Sequence, residues 1–105
     1  MKTWKVVYSP RAFEDLEQIY NSIVEYYESK RTAVNIINKI RTSIKDLSFM
    51  ADGYHRYQEE PYFSNGVRYY SEGKICIFYE HNDETVTVLR IINGRRDLSA
   101  ALKSN

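Results

Sequence analysis

The last third of the chain constrains the fold most, because it predicts two consecutive β-strands that form a hairpin. The strands cover residues 74–81 and 85–92, and residues 82–84 form the turn between them. Apolar and polar side chains alternate along the second strand, which is typical of an antiparallel strand with one buried face. Gly94 follows this strand, and a glycine there can adopt a positive φ and redirect the chain.

The first half of the chain begins with a short strand that leads into an amphipathic helix. Residues 4–8 are a β-type run, Ser9 is a good helix N-cap, and Pro10 suits the first helical turn. Apolar side chains then recur every three or four residues on a helix that runs to about residue 27. They are Ala12, Leu16, Ile19, Ile23 and Tyr26.

A second amphipathic helix follows after the polar break at residues 28–31, with Thr32 as its predicted N-cap. The apolar spacing of the first helix is repeated at Ala33, Ile37, Ile40, Ile44 and Leu47. Two helices of nearly equal length with a short connection form an antiparallel hairpin. The stripes are too short to indicate a coiled-coil dimer, so we expect the hairpin to pack on the sheet of its own chain.

The remaining segments complete an α+β fold. Residues 49–64 are rich in aromatic side chains and predict a long loop or distorted strand, whereas residues 66–71 predict a further strand. A short helix is expected at residues 98–103. The order is therefore β-α-α-β-β-β, with the helical hairpin packed on a small, mainly antiparallel sheet. Residues 1–105 are expected to form a single domain.

Composition excludes several classes of function. A net charge of +1 is not that of a polycation that coats nucleic acid, and no apolar run approaches the roughly 20 residues of a membrane span. Cys76 is the single cysteine and forms no internal disulfide, so a cytoplasmic location is expected. His55 and His81 form no metal-binding pattern with Cys76, and neither a metal nor a cofactor is expected.

Arginine supplies most of the positive charge of the second half, at Arg56, Arg68, Arg90, Arg95 and Arg96. The planar guanidinium suits oriented contacts with phosphate or carboxylate groups. Tyrosines lie near these arginines in the sequence, and such a surface could hold single-stranded nucleic acid. Two simpler readings stand beside it: the arginines pair with acids, and the tyrosines are ordinary strand residues with one polar end.

The motifs, taken together, resemble those of a known family. They are VVYSPRAFEDL at 6–16, IRTSIKDL at 40–47, YHR at 54–56, VR at 67–68, IFY at 77–79 and VLRIINGRRD at 88–97. In this order they closely resemble the RelE/ParE superfamily of toxins from bacterial type II toxin–antitoxin systems. The resemblance implies a small α+β toxin that is inhibited by a cognate antitoxin, whose C-terminal segment wraps it in a hetero-oligomer.

The resemblance implies two alternative activities. RelE-like toxins cut messenger RNA on the ribosome, whereas ParE-like toxins inhibit DNA gyrase. The ending at residues 90–97 is similar to the ParE pattern, and residues 97–102 contain no tyrosine or histidine for acid chemistry. The ParE-like activity is therefore the first expectation, without intrinsic catalysis. RNA cleavage is the alternative, and a non-toxic module that only binds an antitoxin is a third.

The residues expected to act differ between these activities. For RNA cleavage the candidates are Arg56, Arg68, Tyr79 and Arg95. The side chains able to carry protons are His55, Tyr79 and His81. The target-binding surface is predicted at Arg56, Arg68, Arg90, Arg95 and Arg96. Arg90 lies inside a strand, which also allows a structural role in which it pairs with an acid such as Asp97.

The antitoxin is expected to bind the first helix. An apolar groove left by a small hairpin and sheet must be covered, and a helix in a groove and an added strand are common ways to cover it. The predicted contact residues are Leu16, Ile19, Tyr20 and Ile23, together with the sheet edge.

Overall fold

The predicted α+β fold is confirmed by the computed structural model, which describes residues 2–94 and 98–103. Helices and strands follow one another in the predicted order, with one additional short helix. They are β1 (Lys5–Tyr8), α1 (Pro10–Tyr27), α2 (Lys30–Lys45), α3 (Leu47–Met50), β2 (Arg68–Glu72), β3 (Ile75–His81), β4 (Thr85–Asn93) and α4 (Leu98–Lys103).

Among the described residues, the strands form one sheet in the order β1-β4-β3-β2. β2, β3 and β4 are an antiparallel meander, whereas β1 pairs with β4 in parallel, with Lys5 opposite Thr85 and Tyr8 opposite Val88. Parallel neighbours need a crossover between them, and the helical hairpin belongs to that connection. β4, the last strand in the chain, therefore lies inside the sheet beside the first.

Local capping explains where the two long helices begin. Ser9 accepts a hydrogen bond from the N–H of Ala12 at 3.0 Å, as the sequence predicted. The second helix begins at Lys30, and its cap is Ser29, which accepts from the N–H of Thr32 at 3.1 Å. The prediction of Thr32 as the cap was therefore wrong. Both residues can cap, but the second helix begins earlier than predicted, at Lys30, so the turn between the helices is shorter than predicted.

Two features of β4 depart from simple strand geometry. A register shift between Phe78 and Tyr79 of β3 leaves Leu89 as an extra residue on β4, which is a β-bulge. Gly94 is not needed for a positive φ, contrary to the sequence prediction. A Cβ at Gly94 would lie 3.0 Å from the carbonyl oxygen of Lys74 and 3.2 Å from Cys76 Sγ, which is tighter than ordinary van der Waals contact, so a side chain here would require its neighbours to shift.

The core has one cluster on each face of the sheet. On one face, α1 and α2 cover the first cluster, in which Ile40, Ile44, Val86, Val88 and Tyr79 are almost completely buried. On the other face, the loop before β2 and helix α4 cover a second cluster. Its buried members are Val67, Cys76, Phe78, Ile92 and Ala101. The sheet is therefore buried on both faces, while the tip of the hairpin extends past its end.

Candidate functional site

An apolar groove lies between the tip of the helical hairpin and the end of the sheet. Its cavity has a volume of about 720 Å³ and is bordered by both helices, the β2–β3 turn and Asn93. The floor is formed by Ile23 and Ile40 of the helices and Ile75 of β3. A second cavity of about 280 Å³ adjoins it along α1 and β4 and shares Ile23 and Ile75 with it. We call the two cavities together the distal groove.

The residues predicted to bind an antitoxin divide between the distal groove and the core. Ile23 lines both cavities and Ile19 lines the smaller one. Leu16 faces the core from α1, is only 8% exposed and lines neither cavity of the distal groove. Its prediction as a contact residue was therefore wrong. Tyr20 is half-buried on α1 and lines neither cavity.

The mouth of the distal groove includes residues that sequence analysis did not assign to binding. Tyr26 and Tyr27 are 81% and 56% exposed, and their rings form an edge-to-face pair with centroids 4.8 Å apart. Ile36 of α2 lies on the same cavity. Exposed aromatic residues beside an apolar cavity are typical of binding surfaces. The signal available in the sequence was the continuation of the apolar stripe of α1 to Tyr26.

A third cavity, of about 860 Å³, lies on the other flank of α2. Polar residues of α2 such as Asn38 and Thr42 line one side, and the stacked rings of Tyr54 and Tyr70 line the other. The Tyr70 hydroxyl accepts a hydrogen bond from Ser43 at 2.9 Å. More polar residues line this cavity than line the larger cavity of the distal groove.

Arg90 lies in the protein interior, so the prediction that it belongs to an exposed basic surface was wrong. It is 8% exposed, and its Nε donates to Asp15 of α1 at 2.8 Å. Its Nη1 donates to the carbonyl oxygen of Ala101 in α4 at 2.8 Å. Asp15 also accepts from the N–H of Ile91 at 2.9 Å, beyond the point where β1 ends. Arg90 therefore joins α1, β4 and α4, and Asp15 is one acid that it pairs with. Asp97, the acid suggested by the sequence, lies outside the described residues.

Arg56 and Arg68 lie opposite each other and define what we call the basic surface. An isolated bridge pairs them, flanked by hydrogen bonds from Tyr57 N–H to the Val67 carbonyl and from Tyr69 N–H to the His55 carbonyl. Arg56 is exposed, and its guanidinium lies 5.6 Å from the ring centroid of Phe63. Arg68 is half-buried and donates to the Tyr54 carbonyl.

The proton carriers suggested by the sequence are not assembled around these arginines. Tyr79 is completely buried, and its hydroxyl donates to the carbonyl oxygen of Ala51 at 2.6 Å. Burial raises the pKa of Tyr79 well above its ordinary value, so the phenol stays protonated. Because the side chain is enclosed by the core, the hydroxyl also cannot contact an RNA at the surface. Its candidacy as a catalytic residue was therefore wrong. The ring of His81 packs edge-to-face on Trp4, and His55 is exposed beside Arg56.

Arg95 and Arg96 lie outside the described residues. Within residues 2–94 and 98–103, no cluster of three or more His, Cys, Asp or Glu side chains could hold a metal ion. Helices in the same part of the chain are too short or too polar to cross a membrane.

Burial also changes the acidity of two further tyrosines. Desolvation raises the pKa of Tyr70, an effect larger than the opposing hydrogen bond from Ser43. Desolvation likewise raises the pKa of Tyr8, although the neighbouring Arg41 favours the ionised phenol and partly offsets it. Both phenols therefore stay protonated at neutral pH.

Comparison with known proteins gives a family and a fold. The sequence matches, over residues 6–98, the family described as the ParE toxin of the type II toxin–antitoxin system parDE. The chain is similar to a solved structure of the chromosomal ParDE TA system from P. aeruginosa, with 22% identity and a TM-score of 0.74, covering 87% of this chain and 96% of that one.

A second similar structure is that of the toxin–antitoxin complex RelBE2 from Mycobacterium tuberculosis. The identity is 18% and the TM-score 0.60, over 89% of this chain and 93% of that one. At these identities both structures show a shared fold. No curated protein matches the sequence.

Proposed function

Because this chain belongs to the ParE toxin family of type II toxin–antitoxin systems, we propose that it arrests growth by inhibiting DNA gyrase. The observation that carries this choice of target is the burial of Tyr79 in the core. Cleavage of RNA by its own 2′-hydroxyl needs a general base and a general acid beside groups that stabilise phosphate. Of the predicted proton carriers, His55 is exposed beside Arg56, whereas Tyr79, the cross-strand neighbour of Arg68, has its side chain buried in the core.

The basic surface supports contact with the target. Arg56 is exposed and is held by strand-like hydrogen bonds on both sides, so its guanidinium is presented from an ordered backbone. Arginines in such positions make oriented, bidentate contacts with carboxylates of a protein partner. The same surface could contact RNA phosphates, and the pair His55–Arg56 favours RNA cleavage as the second candidate function.

We assign the distal groove to the antitoxin. Its apolar floor and the exposed Tyr26 and Tyr27 offer a surface that a partner segment can cover. The adjoining edge of β4 extends beyond β1, which ends at Tyr8. Asp15 already accepts from the Ile91 N–H on that edge, so an added strand would pair with the end of β4 past Ile91. Coverage here would place the antitoxin on α1 and at the end of the sheet.

The target is tested by inducing the protein in a bacterial host. We expect growth arrest, relaxed plasmids and DNA damage, while ribosome-bound messages stay whole. Purified protein should then block supercoiling by purified gyrase. Codon-dependent cuts in messages with normal plasmid supercoiling would establish RNA cleavage instead. Unimpaired growth at full expression would identify a non-toxic module that only binds its antitoxin.

A further inference from the structure

Two lysines border the apolar cavity of the distal groove from opposite sides. Lys39 extends from α2, and Lys74 lies in the β2–β3 turn. Both side chains are exposed. Neither forms an ion pair with any carboxylate of the described residues, including Glu72, which borders the same cavity. The mouth of the cavity therefore carries two ammonium groups and a single carboxylate, that of Glu72, which pairs with neither of them.

These charges constrain what can cover the groove. A segment that fills the floor between Ile23, Ile40 and Ile75 removes water from the mouth of the cavity. The ammonium groups then lose hydration, which is costly unless the segment supplies an opposite charge. A partner that carries a carboxylate at this point gains a charge-assisted contact, whereas a neutral or basic partner is penalised.

We propose that Lys39 and Lys74 select an antitoxin segment in which an acidic side chain lies among the apolar side chains that fill the groove. This inference rests on the proposed function of the distal groove and adds the chemistry of its occupant. The lysines act as specificity-determining residues, because the apolar floor would accept many amphipathic segments. The carboxylate between them would distinguish the correct segment from segments with the same apolar pattern.

The experiment uses a random peptide library displayed on phage, selected on the full chain and on the double variant K39E/K74E. Peptides selected on the wild-type chain should be enriched in Asp and Glu next to apolar residues. Peptides selected on K39E/K74E should be enriched in Lys and Arg instead. The matched control is K5E/K45E, which makes the same change of net charge at two exposed lysines that do not line the distal groove.

Affinities of a selected acidic peptide separate this inference from the proposed groove. We expect binding to K39E/K74E to be about ten-fold to a hundred-fold weaker, and binding to K5E/K45E to be nearly unchanged. A peptide that requires Ile19 and Ile23 but binds K39E/K74E normally would overturn the role of the lysines and leave the groove in place. A peptide that binds I19D/I23D as tightly as wild type would overturn the groove itself and the lysine proposal with it.

Discussion

Arg90 and Asp15 are 75 residues apart in the sequence, yet their side chains form a buried ion pair 2.8 Å in length between β4 and α1. The carboxylate of Asp15 also accepts the N–H of Ile91, and the guanidinium of Arg90 reaches the backbone of Ala101. The pair therefore satisfies polar groups of several elements in the protein interior. Removing one partner takes away the closest opposite charge of the other, which stays buried.

We therefore expect Asp15→Ala to lower the free energy of unfolding by about 3–5 kcal/mol, since Arg90 and the Ile91 N–H both lose their acceptor. Arg90→Met should also destabilise, but less, because Asp15 keeps the Ile91 N–H. Urea denaturation measures both changes. Lys2→Ala, which removes an exposed ion pair with Asp83, is the control and should have little effect. Wild-type stability of Asp15→Ala would show that the pair contributes nothing net.

The proposed antitoxin surface is tested at Ile19 and Ile23. The double variant I19D/I23D places two charges where the partner must bury apolar side chains, so complex formation should be lost. Both side chains are only half-buried in the free chain, so the isolated protein should keep its circular dichroism spectrum. The partner is the antitoxin whose co-expression restores growth, and its co-purification with the variant measures binding. Unchanged co-purification would remove the groove from the interface.

Arg56 and Arg68 should separate in their effects on stability. Arg56→Ala should relieve growth arrest while stability changes by less than about 0.5 kcal/mol, because the side chain is exposed. Arg68→Ala should in addition cost about 1–3 kcal/mol, because the Tyr54 carbonyl loses a charged donor. Growth curves and thermal melts are compared with those of Arg31→Ala, an exposed arginine of α2. Full toxicity of folded Arg56→Ala would exclude that residue from the target surface.

The two histidines decide between the proposed target and RNA cleavage. Acid–base groups typically contribute about 10²- to 10⁴-fold each to such a reaction. If gyrase is the target, H55Q/H81Q should arrest growth as strongly as the wild type. Loss of arrest, together with loss of cuts in messages, would show that the protein is a nuclease. Tyr79 is left unchanged because its burial would confound the result.

Tyr79 should make stability depend on alkaline pH. Its pKa is raised by burial, whereas the unfolded chain ionises near pH 10, so its contribution is complete below about pH 10 and is lost as the pH rises further. Tyr79→Phe should cost about 1–2 kcal/mol at pH 7, because the Ala51 carbonyl loses its donor. Above pH 10 the variant should lose stability less steeply. Melting temperatures from pH 7 to pH 11 measure both effects, with Tyr26→Phe as the exposed control.

The features that the sequence predicted correctly depend on neighbouring residues. Ser9 and Pro10 marked the start of α1 because capping involves only the next few residues. The turn after His81 followed from the same local chemistry. Helix and strand patterns sufficed for the α+β fold class, since apolar periodicity records which face of each element is buried.

The candidate site was predicted less well, because it depends on which distant residues meet. Nothing in the sequence around Arg90 indicates that it pairs with Asp15, 75 residues away. The burial of Tyr79 likewise depends on the segment near Ala51, which covers it. Gly94 was assigned to a positive φ, but what disfavours a side chain there is the close approach of the Lys74 carbonyl in the β2–β3 turn. Contacts of this kind are fixed by the register of the sheet, which periodicity alone does not give.

The parallel pairing of β1 with β4 affects how the protein folds during its synthesis on the ribosome. Lys5 finds its partner only at Thr85, so the first strand has no place in the sheet until β4 has been synthesised. Pairings this distant in sequence close slowly. We therefore expect the nascent polypeptide to emerge first as a helical hairpin, and the complete sheet to form only after β4 has left the ribosome.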